Sequence, residues 1–96
     1  MQKYQKEYAF NFAKAMKFFL VNIDKSIGEH KIETENIKIT LQMRTFNYPY
    51  NSDVMKQITK TFDARGIRVI MTSYQTNTEK DAKFKYAYKF TIEAKN

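Results

Sequence analysis

The sequence contains no cysteine, no tryptophan, one proline, two glycines and one histidine among 96 residues. Without cysteine there is neither a disulfide staple nor a thiolate metal site, so packing alone must hold the chain. A single histidine cannot supply the several His or Cys ligands of a zinc or transition-metal centre. His30 stands in Gly28-Glu29-His30-Lys31, where no distinctive neighbouring motif supports a Ser-His-carboxylate arrangement. Gly28 and Gly66 lie far apart, which excludes a glycine loop that cradles phosphate. The carboxylates closest in sequence are Glu33 with Glu35 and Glu79 with Asp81. Nothing around either pair sets up the opposed environments that an acid-base couple requires. These absences point to a protein that is not an enzyme and uses no metal or cofactor.

A long apolar run is also missing. The most apolar stretch, residues 9–23, is broken by Asn11, Lys14, Lys17 and Asn22, whereas a bilayer span needs about 20 mostly apolar residues. A secretory leader would require a clean apolar run and a small-residue cleavage site, and neither is present. The expectation is an intracellular (cytoplasmic) protein with no membrane segment.

What is present has globular composition, 43% hydrophobic against 28% charged. The length suits one domain, residues 1–96. A chain of this size buries roughly 60% of its unfolded surface, so a site on it must be a surface, a shallow cleft or a subunit junction. Lys and Arg number 17 against 10 Asp and Glu, a net charge of +7. Successive thirds of the chain carry +2, +2 and +3, so there is no basic tail. Such a balance favours acidic partners, although excess charge also serves plain solubility. With 14 Lys and only 3 Arg, contact with phosphates suits the chain better than bidentate reading of bases.

Five elements follow from periodicity. Residues 3–27 place Tyr8, Phe12, Met16, Phe19, Ile23 and Ile27 at helical spacing, and Gly28 offers a left-handed stop. Residues 36–44 alternate, with Ile37, Ile39, Leu41 and Met43 against Lys38, Thr40, Gln42 and Arg44, which predicts a half-buried strand. Asn51 or Ser52 then caps a second helix that buries Val54, Met55, Ile58 and Phe62 and closes at Gly66. Residues 67–74 read as a second strand, expected to be central because Ile70 adds to Ile67, Val69 and Met71. A polar loop over 75–81 leads to a last strand with Phe84, Tyr86, Tyr88, Phe90 and Ile92 on one side. A hairpin to this strand also permits it to lie between the other two. The predicted fold is α+β: two layers, two helices on one face of a three-stranded sheet, in the order α-β-α-β-β, with the other sheet face open.

Three groups of residues are candidates for function. Lys38, Arg44, Arg68, Lys83, Lys85 and Lys89, with Lys95, project from the polar side of the strands against Glu93 alone, a pattern suited to phosphates. The same lysines would also discourage edge-to-edge aggregation. Exposed rings for base stacking are scarce, Tyr74 being the one expected on that side. Phe10, Phe18 and Val21 fall opposite the first helix's buried stripe, which suggests a homodimer or a protein contact, or cover from the chain's own loops. Phe46, Tyr48 and Tyr50 surround Pro49 and could anchor a partner or fold back over the core.

The run Phe62-Asp63-Ala64-Arg65-Gly66-Ile67-Arg68-Val69, a helix ending in Gly before a strand, is followed by a polar loop and an aromatic last strand. In these features residues 36–94 resemble small bacteriophage accessory proteins. The resemblance implies a protein that binds or inhibits a host protein or nucleoprotein complex. The functional expectation is therefore a basic binding module docking on such a partner. The alternatives are direct, weakly sequence-specific nucleic-acid binding by the lysine-rich sheet face and a structural subunit of a homo-oligomer.

Overall fold

The computed structural model describes residues 11–76 and 85–95. The elements are α1 (Phe12–Glu29), α2 (Ile32–Glu35), β1 (Lys38–Thr45), α3 (Ser52–Asp63), β2 (Ile67–Thr76) and β3 (Tyr86–Ala94). Apart from the single turn α2, this is the expected α+β order, with the helices covering one face of a three-stranded sheet. The proposed start of the first helix before Asn11, including Tyr8, lies outside the described residues, as do Lys83 and Phe84.

α1 begins where the Asn11 side chain accepts a hydrogen bond from the Lys14 amide at 2.9 Å, replacing a partner that the first turn lacks. It buries Ala15, Phe19, Ile23, Ser26 and Ile27, one stripe at three- and four-residue spacing. Phe12 belongs to that stripe by angle, yet it stands exposed in the first turn. Gly28 does not stop the helix. The helix continues to Glu29, His30 caps it, and the left-handed residues are Lys31 (φ 52°) and Asn36 (φ 53°). Between these two, α2 drives Ile32 fully into the core, a gain that offsets two non-glycine left-handed residues.

Of the two caps the sequence offers, α3 uses Asn51, whose side chain accepts from the Asp53 and Val54 amides, each at 3.0 Å. It turns Val54, Ile58 and Phe62 inward. Gly66 then takes a φ of +78°, which only glycine adopts without cost, and β2 begins at the next residue.

The strand order is β1-β3-β2, with β3 antiparallel to both neighbours. The second strand is therefore an edge and the last strand is central, the reverse of the expectation from apolar content. Ile70 explains the difference: it pairs with Thr91 on the open face and is 46% exposed, so the apolar richness of β2 does not reflect burial on both sides. β3 contributes the deepest row, Tyr88, Phe90 and Ile92. Phe19 meets Tyr88 and Phe90 edge-on, with ring centroids 5.1 and 5.9 Å apart, a favoured aromatic geometry. The Tyr88 hydroxyl donates to the Tyr48 carbonyl at 2.5 Å.

β2 does not alternate throughout. Pairing runs regularly to Met71 opposite Phe90 and resumes at Ser73 opposite Lys89, leaving Thr72 as an extra residue. This bulge moves Tyr74, expected on the open face, to the helix side opposite Tyr88, 5.1 Å from its ring. Thr72 secures the irregularity by donating its hydroxyl to the Lys89 carbonyl at 2.9 Å. Beyond it β2 takes in Gln75 and Thr76, which the sequence pattern assigns to a loop.

Burial, aided by the neighbouring Tyr74 and Tyr86 phenols, holds the Tyr88 phenol above its ordinary value of about 10. The neutral phenol is the form that fits the fold. Its contribution is complete below pH 10 and is lost as pH rises through the folded-state value. Tyr88→Phe should cost about 1–2 kcal/mol at neutral pH, because the Tyr48 carbonyl loses its donor. Between about pH 9 and pH 11 the wild type should lose more stability than the variant, by at most about 1.4 kcal/mol per pH unit. Urea melts of both proteins across that range check the sign.

Candidate functional site

The sheet face away from the helices is open, and its register places each polar side chain in a row. One end carries Lys38, Glu93 and Arg68 across the three strands. Next come Thr40, Thr91 and Ile70, then Gln42, Lys89 and Ser73, then Arg44, Ala87 and Gln75. Lys85 lies two residues before Ala87, just beyond that last row.

The cations are not equivalent. Glu93 approaches Lys38 at 4.0 Å and Arg68 at 3.5 Å, so one carboxylate serves both cations of its row. Arg44, Lys85 and Lys89 form no ion pair among the described residues, and Arg44, Lys85 and Lys89 are exposed. By strand spacing, Arg44 and Lys89 have Cα atoms about 8 Å apart, within about one screening length at physiological salt. The open face thus has one end where a single carboxylate partly offsets two cations and another end whose cations have no carboxylate beside them among the described residues. The polar residues between these cations, Gln42, Ser73 and Gln75, add hydrogen-bonding groups that a reading confined to charge overlooked, although the period-two pattern of β1 contains the first of them.

Lys95 leaves this face. Its ammonium forms an ion pair with Asp63 at the end of α3, while its amide donates to the Gly66 carbonyl at 2.8 Å. Lys83 lies outside the described residues. Of the six cations first assigned to phosphate contact, the structure places Lys38, Arg44, Arg68, Lys85 and Lys89 on or beside one face, and two of these five are engaged by Glu93.

The proposed apolar contact on α1 is much reduced. Phe18 packs on Phe19 at 5.3 Å and on Tyr48 at 5.4 Å rather than standing free. Val21 is 55% exposed among Lys14, Lys17, Asp24 and Lys25 on the outer side by helical spacing, and Phe10 lies outside the described residues. In the loop after β1, Tyr48 is drawn over the core. Its amide donates to the Thr45 hydroxyl at 2.9 Å, and its carbonyl accepts from Tyr88. Phe46 and Tyr50 remain exposed, and Tyr50 leans on Tyr74 with centroids 5.6 Å apart.

His30 is exposed at the end of α1, where its Nδ1 donates to the Ser26 carbonyl at 3.0 Å. Arg65 ties α1 to α2 through Asp24 at 2.6 Å and Glu33 at 3.6 Å, with its guanidinium over the Phe62 ring. Both are structural contacts away from the open face. Among the described residues no three His, Asp or Glu side chains come together as a metal site, and no helix is long and apolar enough to cross a membrane.

Compared with protein-family models, curated proteins and solved structures, the chain matches none. Its chemistry must be read from its own surfaces.

The two bridges to Glu93 are solvent-screened, with the Lys38 and Arg68 side chains 65% and 52% exposed. Glu93→Gln should therefore change the unfolding free energy by less than about 1 kcal/mol in a urea melt. A larger loss would assign the row a structural role.

Proposed function

We propose that the protein is a non-enzymatic binding module that holds a nucleic-acid backbone on the open face of its sheet. One observation carries this reading: Arg44 and Lys89 lie on that face and Lys85 directly precedes β3, all three exposed and without an ion-pair partner among the described residues, while Glu93 sits at the opposite end. Phosphates supply the charge these groups lack, and lysine-rich contact to a backbone is sequence-tolerant. The wider setting implied by the resemblance to bacteriophage accessory proteins, action on a host nucleoprotein complex, belongs to the same proposal, because such complexes present phosphates.

An anisotropy titration with labelled single-stranded DNA, duplex DNA and RNA at about 50 and about 200 mM salt tests it. Three phosphate contacts should weaken binding about 20- to 40-fold between those salts. The Arg44→Glu, Lys85→Glu, Lys89→Glu triple variant should abolish binding, and Glu93→Gln should strengthen it and steepen its salt dependence. No binding at the lower salt, or binding indifferent to the triple reversal, would overturn the proposal.

A further inference from the structure

The two free edges of the sheet are differently protected. β2 is interrupted by the bulge at Thr72, and the Thr59 hydroxyl of α3 donates to the Val69 carbonyl at 3.2 Å. Bulges and covered groups are the usual means by which an edge is made unreceptive to another strand. β1 has neither. Its pairing with β3 is unbroken from Lys38 opposite Glu93 to Thr45 opposite Tyr86. Among the described residues no other element hydrogen-bonds to the backbone of Lys38–Thr45.

Beside this edge a groove of about 370 Å³ separates β1 from α1. Its apolar lining is Phe18, Leu41 and Met43, while Lys25, His30 and Arg44 supply its basic groups. Glu29 is the carboxylate in the lining. An open strand running beside a helix, with a groove between them, can accept an extended segment as an additional strand. Main-chain hydrogen bonds then supply affinity, and every second side chain enters the groove.

Charge selects the occupant. The alternate residues of an added strand would lie beside Lys38, Thr40, Gln42 and Arg44, with a cation at each end. A second copy pairing antiparallel about Leu41 would set Lys38 of each copy against Arg44 of the other, and like charges directly opposed are unfavourable. An acidic segment meets both cations favourably and is further attracted by Lys25. We infer that the β1 edge docks an extended acidic segment of another protein as a fourth strand, with carboxylates against Lys38 and Arg44 and apolar side chains in the α1–β1 groove.

The probe is a capped peptide that spans Lys38 to Arg44 antiparallel, with Glu at both ends and Val at each position entering the groove. A control carries Lys in place of both Glu. Amide NMR spectra of the labelled protein should show shifts and new exchange protection concentrated in β1 with the Glu peptide. The control should bind about tenfold more weakly or worse. The exposed double variant Lys38→Glu, Arg44→Glu should reverse the preference. Equal binding of the two peptides, shifts centred on β2 or the open face, or no shift at millimolar peptide would overturn the inference. So would β1 protection in the free protein that grows with its own concentration, which would make a second copy the occupant.

Discussion

The inner row of β3 is the constraint on which the rest of the structure depends. Tyr88, Phe90 and Ile92 are each at most 1% exposed, and large aromatic side chains can be buried this completely only with cover from the helices and from strands on both sides. Phe19 of α1 supplies the cover above Tyr88 and Phe90. β1 and β2 flank the row and thereby become the edges. Among the described residues the long helices are α1 and α3, and both cover the same face of this sheet, while the outward row on the other face, from Lys38 and Arg44 to Arg68, Ile70 and Lys89, is exposed. The open basic face and the position of β1 as an edge with unbroken pairing both follow from giving β3 the centre.

Much of this architecture is legible in the sequence because it rests on local chemistry. The period-two pattern of 36–44, the cap at Asn51 or Ser52 and the glycine at 66 each state their own conformation: the strand forms as Lys38–Thr45 after a left-handed Asn36, Asn51 is the cap, and Gly66 takes the positive φ. The order of the strands is different, since it depends on which residues face one another across the sheet. Ile70 increases the apolar content of β2 although it faces solvent, which makes an edge strand look central. Thr72 is no more conspicuous than any other polar residue of a strand, yet as the extra residue of a bulge it decides which side Tyr74 faces. Gly28 shows the converse: a residue suited to ending a helix is carried through because burial of Ile32 requires the chain to run further.

The candidate site was legible to the same degree. Alternation predicts that Lys38, Arg44, Arg68 and Lys89 share a face, and the register places them there. Their division into paired and unpaired cations required the cross-strand alignment, which brings Glu93 between Lys38 and Arg68. Lys95 shows the limit of a charge count, because alternation keeps it with the basic row while Asp63 draws it to the helix layer. Tyr48 and Phe18 show the corresponding limit for apolar residues. Each appears available in a helical wheel or a loop sequence, but each is used to close the end of the core.

Arg44 belongs to both proposed surfaces. It lies in the unpaired basic row of the open face and also at the end of the edge strand beside the α1 groove. A phosphate and a carboxylate cannot both make full use of one guanidinium, so the two ligands oppose each other at this residue. Sharing Arg44 is by itself worth about 1 kcal/mol or less, as a single exposed charge contact, and carboxylates set against Lys38 and Arg44 on the open face add their own repulsion of the phosphates. By linkage the same factor acts in both directions. Together these terms make the joint affinity of the two ligands fall below the product of the two. Lys85 and Lys89 remain for the backbone, and Lys25 and Lys38 for the strand. On the two proposals, a basic sheet with one bulged and one unbroken edge holds a nucleic acid on its face and a protein at its side, with Arg44 as the point where each registers the other.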